Sequence, residues 1–237
     1  RRSEGRAKMK SEKGRRAISL TVYLLLVPAC VALGATVFRD RAYIWISVCL
    51  AVLSCVPFFA RFENRPDDTR RMAVLAAMTA LSVLGRFLFY AVPHFKPVTA
   101  MVVICGIYLG AESGFLCGAL TAILSNILFG QGPWTPFQMM VWGIIGFLAG
   151  VLARQLKKSR AALFLYGALA GVLFSFLMDI WTVLWWDGKF SLSRYIAAIV
   201  SAAPVTAVYA LSNVLFLSVL ITPIGKKLER LVTKYGI

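Results

Sequence analysis

The sequence predicts an all-α membrane protein with a six-helix core preceded by a two-helix N-terminal transmembrane hairpin. Three observations predict it. Hydrophobic residues fill 59% of the 237 positions and charged residues 15%, where a soluble domain carries about 25% charged residues. The apolar residues fall in runs close to the roughly 20 residues that carry a helix across a bilayer core. These runs lack the apolar–polar alternation of a β-barrel, so helices must satisfy their backbone polar groups.

The elements follow in order. Residues 1–17 form a basic segment with eight Lys or Arg. The chain begins at Arg1, and further sequence is expected ahead of it. The apolar run from Ile18 is longer than a signal core and has no Ala-x-Ala site after it, so it reads as a retained helix, 18–38. Arg39-Asp40-Arg41 turns the chain into a second span, 42–60. Residues 61–71 are a polar linker. The core, 72–222, holds spans at 72–92, 98–110, 113–130, 137–153, 161–186 and 195–222, and 223–237 is a basic tail. Pro93, Gly132-Pro133 and Asp187-Gly188 mark turns between spans. The 98–110 span reaches only about 20 Å at 1.5 Å per residue, so it should be short or tilted, with a tight turn after it. Pro204 should kink the last span. No internal repeat is evident.

The formal net charge is +16. Segments 1–17, 61–71, 154–160 and 223–237 together hold 20 basic residues, and the alternate loops hold five. Cytoplasmic loops are the ones enriched in Lys and Arg, so both termini should face the cytoplasm across a bacterial inner membrane. The basic excess then needs no nucleic acid, and the N-terminal cluster can touch anionic lipid.

Small residues recur at spacing four: Ala73, Ala76, Ala77 and Ala80 on the first core helix, then Gly106, Gly110, Gly114 and Gly118, Gly146 and Gly150, and Gly167 and Gly171. Such spacing lets helices approach closely in lipid. The glycines read as internal packing. The alanines form a smooth patch suited to docking another membrane protein. Five cysteines all lie in apolar runs without a Cys-x-x-Cys pair, and read as small apolar side chains.

The richest segment is 126–138, between the fifth and sixth spans. Asn126, Gln131 and Gln138 bring amides, Trp134 and Phe137 bring flat apolar surface, and two Gly and two Pro shape the turn. Apolar walls with a few oriented polar groups suit an uncharged or weakly charged organic ligand. An interfacial aromatic belt is the competing account. Asp179 lies within the seventh span, with Trp185 and Trp186 at its outer end. A charge at that depth needs a partner, and Arg86 is the natural one. A structural Arg86–Asp179 pair and polar contacts from both to a ligand are equally open. Tyr209 and Asn213 add polar groups on the last span. His94 is the only histidine, so no metal site is expected.

No phosphate-binding Gly-rich loop or hydrolase motif appears. Few acidic residues lie in or beside the core spans, fewer than an ion-driven transporter uses. The chain reads as a binding subunit that takes its energy from a partner. An intramembrane lipid-modifying enzyme would need paired acids, and an assembly protein would leave the 126–138 segment without a ligand.

Across about residues 70–225 the core resembles the substrate-binding S components of energy-coupling factor (ECF) vitamin transporters. The resemblance rests on the alanine-spaced helix, the short second core helix, and Phe129-Gly130-Gln131-Gly132-Pro133-Trp134-Thr135-Pro136 followed by Trp142 and Gly143-Ile144-Ile145-Gly146. It implies a non-enzymatic subunit that binds a vitamin at the outer face. Such a subunit docks through its alanine face on a membrane coupling (T) subunit and topples to release cargo inside. Two partner ATPases use the ATP, and the subunit itself needs no bound cofactor. The 129–136 segment resembles members assigned to cobalamin or related corrinoids, with riboflavin or another small vitamin as the alternative. The hairpin 18–60 is extra to the resemblance, and could brace the core, hinder toppling or bind another subunit.

Overall fold

The computed structural model describes residues 14, 17–37, 43–59 and 66–235. A π-helical stretch, Val22–Leu26, runs into α1 (Val27–Thr36), and α2 (Tyr43–Phe59) completes the hairpin. The core comprises α3 (Pro66–Leu88), α4 (Val98–Leu109), α5 (Ala111–Phe129), α6 (Thr135–Val151), the short α7 (Ala153–Lys158), α8 (Arg160–Asp187) and α9 (Leu192–Tyr235). No strand occurs among the described residues. Most of the basic segment 1–17, the turn at 39–41 and linker residues 61–65 lie outside the described residues.

Thr69–Leu88, Ala111–Phe129, Arg160–Asp187 and Leu192–Tyr235 are long and apolar enough to cross a membrane, and shorter apolar helices cover Ala17–Leu33, Trp45–Ser54, Val98–Leu109 and Thr135–Val151. These eight segments overlap the eight expected spans. Large apolar side chains such as Leu25, Leu84, Ile127, Leu165 and Val200 are exposed on the outside of the bundle, a surface that lipid covers and water would not tolerate.

Three boundaries differ from the sequence expectation. The second half of the linker is helical, because Pro66-Asp67-Asp68 supplies a proline at the first helical position and acids in the first turn, both of which start helices. The first core helix ends at Leu88, not residue 92. The last helix runs unbroken through Pro204 and Pro223 to Tyr235 over 44 residues, about 66 Å at 1.5 Å per residue. The tail therefore extends the span as a helix.

The glycines act as spacers, as expected. A Cβ on Gly106 or on Gly114 would strike the Gly146 carbonyl, and one on Gly118 would strike the Trp142 backbone. The backbones of α4, α5 and α6 thus meet without side chains between them, which lets α4, all but Tyr108, lie buried at the centre.

The hairpin packs on α5 and α6. Tyr23 is fully buried. Its ring stacks on Phe115 with centroids 3.9 Å apart and meets Phe147 edge-on at 5.3 Å, while its hydroxyl donates to the Ser54 carbonyl at 2.9 Å. Ser19 Oγ donates to Glu112 Oε1 at 2.9 Å. The hairpin is seated on the core by aromatic packing and a buried polar contact. It leaves the α3 alanines free: Ala73, Ala76, Ala77 and Ala80 are all exposed, while Leu75, Met78, Thr79 and Ser82 on the same helix are buried.

The bundle has two distinct ends. Connections 89–97, 130–134 and 188–191 share one, the loop end. The opposite, basic end carries the Gly110 turn, α7 and the last turns of α9.

Candidate ligand-binding site

A cavity of about 310 Å³ opens between α3, α4, α6, α8 and α9 beneath the 89–97 connection. Arg86, Pro93, His94, Lys96, Val98, Thr99, Gln138, Trp142, Gly171, Phe174, Tyr209 and Asn213 line it. One wall is aromatic: Trp142 and Phe174 stack at 5.2 Å, Phe174 meets Tyr209 edge-on at 5.2 Å, and His94 meets Tyr209 edge-on at 5.4 Å. Gly171 matters here because its missing side chain lets the Tyr209–Ala210 backbone approach α8.

Arg86 is the central polar group. Its Nη1 donates to Ser125 Oγ and to Asn126 Oδ1 at 2.7 Å. Its guanidinium lies 4.9 Å from the Phe129 ring centroid and 5.3 Å from that of Trp142. Cations over aromatic faces are held electrostatically, more strongly when desolvated. No carboxylate lines the cavity.

The polar frame behind Arg86 is built from α5 and the 130–134 turn. Asn126 is fully buried. Its Nδ2 donates to Thr135 Oγ1 at 2.9 Å and to Gln138 Oε1 at 2.8 Å. Thr135 Oγ1 in turn donates to Gln131 Oε1 at 3.0 Å, and Gln131 Nε2 donates to the Ile123 carbonyl at 2.8 Å. Gly130 turns the chain with φ 98°, a left-handed region that costs other residues roughly 1–2 kcal/mol. Gly132 serves differently: a Cβ there would strike the Trp134 ring.

The 89–97 connection covers the cavity, is tied to α9 at two points and is bonded within itself at a third. Lys96 N–H donates to Ser212 Oγ at 3.1 Å. Lys96 Nζ donates to the carbonyls of Phe89 and Val92 at 3.0 Å each. His94 Nδ1 lies 3.1 Å from the Tyr209 hydroxyl, with His94 itself at φ 58°. Burial, and after it the Arg86 charge, lower the Lys96 ammonium below its ordinary range. Arg86 and Lys96 place two cationic side chains at the chamber, beside the His94 ring.

The structure sorts the residues expected from the sequence. Arg86, Gln138, Tyr209 and Asn213 line the cavity. Asn126 and Gln131 stand behind it as the frame. Phe137 is buried in the packed core. Trp134, Trp181 and Trp185 form an aromatic chain at the loop end, with successive centroids 6.0 Å apart, and Trp185 is exposed. The Arg86–Asp179 pair does not form. Arg86 on α3 turns to α5, whereas Asp179 on α8 lies in electrostatic range of Tyr195 and Tyr209 on α9. Asp179 Oδ2 and Trp181 Nε1 are buried without a hydrogen-bond partner.

Lys96, Thr99, Trp142 and Phe174 were not legible as site residues from sequence. Phe174 and Thr99 carry no local signal. Trp142 lies on α6 one turn beyond Gln138, and that helical spacing was the available clue. Among the described residues no cluster of potential metal ligands occurs.

Residues 67–230, from α3 to near the end of α9, match the protein-family model described as ECF-type riboflavin transporter, S component. No curated protein and no solved structure matches the chain.

Proposed function

The chain belongs to the ECF-type riboflavin transporter S component family, and from that premise we propose that its loop-end cavity captures a flat, carbonyl-bearing vitamin of riboflavin size. An S component is a substrate-binding membrane subunit of a vitamin transporter and not an enzyme. One observation carries the substrate reading: Arg86, held by Ser125 and Asn126 against the Trp142 ring, faces a cavity with no carboxylate. A heterocycle with carbonyl acceptors meets both needs, stacking on the aromatic wall and accepting from the guanidinium. Ligand sites run from about 300 to 1,000 Å³, and the 310 Å³ here suits a riboflavin-sized ring system. A corrinoid, with its macrocycle and nucleotide tail, is far larger and would sit mostly outside the chamber, which places it second.

The loop end is the outer side in this reading, because the basic end carries the Lys and Arg that mark cytoplasmic segments. The exposed alanine face of α3 docks on the membrane coupling subunit, and two partner ATPases drive release. The hairpin, packed on α5 and α6, moves with the core in this reading. The test is titration of the purified full-length chain in detergent with riboflavin, read by quenching of flavin fluorescence, alongside cyanocobalamin read by calorimetry. A riboflavin Kd below about 1 μM is expected. Cyanocobalamin binding without riboflavin binding would install the corrinoid reading, and binding of neither would remove the small-vitamin proposal.

A further inference from the structure

A second cavity lies at the basic end, remote from the first. It has a volume of about 160 Å³ and is formed by α4, α7, α8 and α9. Three cations from three different helices surround it: Lys157 on α7, Arg160 on α8 and Lys226 on α9. Two are held in place by the protein. Arg160 Nη2 donates to Thr222 Oγ1 at 2.9 Å, and Lys157 Nζ lies 4.4 Å from the Tyr108 ring centroid. Tyr108 itself is seated by Gly225, where a Cβ would strike its hydroxyl. The cation-bearing residues are exposed, whereas Leu156, Leu163 and Ile221 beneath them are buried.

No carboxylate lines this cavity, and among the described residues none of the three cations is ion-paired. Glu229, on α9 just beyond Lys226, acts electrostatically on Tyr108 and leaves the three cations in excess. Holding three like charges together is unfavourable unless an anion joins them. The match of basic rim to apolar floor distinguishes the candidates: a free phosphate uses only the rim, whereas a lipid uses both.

We propose that this cavity binds the phosphate of an anionic membrane lipid, with the glycerol and upper acyl carbons lying on the Leu156–Leu163–Ile221 floor. Basic pockets between transmembrane helices are suited to such head groups. The bound lipid would tie α7 to α8 and α9 at the end where α9 leaves the span.

The experiment uses the purified full-length chain, delipidated in neutral detergent and followed by native mass spectrometry. Phosphatidylglycerol, phosphatidylcholine and inorganic phosphate are added separately and then in competition. The expected result is a saturable phosphatidylglycerol adduct at least about tenfold tighter than that of phosphatidylcholine and resistant to equimolar phosphate. The preference should vanish in the Lys157→Gln/Lys226→Gln double variant and persist in Lys227→Gln, whose side chain is exposed but outside the cavity lining. If the double variant does not fold, Lys226→Gln alone supplies the comparison. Displacement by inorganic phosphate would make the ligand a free phosphate and overturn the lipid assignment. Equal binding of both lipids, or equal loss in Lys227→Gln, would overturn the site.

Discussion

Arg86 Nη1 donates to the side-chain oxygen of Asn126 at 2.7 Å, so the cation at the heart of the candidate site is positioned by an amide two helices away in sequence. Asn126 spends its other end on Thr135 and Gln138. One fully buried amide therefore links the α3 guanidinium to the start of α6. The carboxylate that sequence reasoning offered Arg86, Asp179, lies elsewhere.

Asn126→Ala should destabilise the ligand-free protein. It removes an acceptor from Arg86 and a donor from Thr135 and Gln138, and each buried polar group left unsatisfied costs about 1–3 kcal/mol. Thermal unfolding in detergent, followed by tryptophan fluorescence, should show a clearly lowered midpoint. An unchanged midpoint would show that the frame contributes nothing to stability.

Tyr23→Ala should loosen the hairpin and spare the ligand site. The ring is fully buried against Phe115 and Phe147, and truncating such an aromatic costs about 3 kcal/mol. Limited proteolysis between the hairpin and α3 should accelerate, with ligand affinity held within about twofold. A matching loss of affinity would mean that the hairpin shapes the cavity itself.

Lys96 gives a pH dependence of defined sign. Its pKa is depressed from the ordinary 10.5 by burial and by Arg86. Between the depressed value and 10.5 the unfolded chain holds more protons than the folded one, and stability rises with pH across that window. Wild type should therefore gain stability relative to Lys96→Met as pH climbs toward 10.5. Parallel pH profiles for the two proteins would refute this.

Ala77→Trp should leave ligand binding intact and abolish uptake. Ala73, Ala76, Ala77 and Ala80 are exposed on α3, away from the cavity, and a bulky ring there prevents the close helix approach that small residues permit. Binding is measured on the isolated chain and uptake in vesicles carrying the partner subunits. Normal uptake by the variant would rule out this face as the docking surface.

The spans were legible in the sequence because bilayer thickness imposes a length and lipid imposes composition, and both leave long marks. The glycine spacers were legible too, because close helix approach in lipid needs small residues: Gly106, Gly110, Gly114 and Gly118, and Gly146 and Gly150, recur at spacing four. The binding residues were only half legible. Asn126, Gln131 and Gln138 stood out as amides in one short segment, yet two of them are the frame and one reaches the cavity. Lys96 and Phe174 come from distant segments and meet only when α3, α8 and α9 pack, so no local pattern announces them. Of the two readings the sequence left open for Arg86 and Asp179, the direct pair is the one that does not form, because depth in the membrane was known from sequence and azimuth around the helix was not.

The central claim is that Arg86 holds the ligand against the aromatic wall. The direct measurement is riboflavin affinity of purified wild type and Arg86→Gln, with thermal unfolding of both as the folding control. The account predicts sub-micromolar binding by wild type and at least a tenfold weaker Kd, about 1.4 kcal/mol, for a folded Arg86→Gln. Equal affinity in the two folded proteins would contradict it.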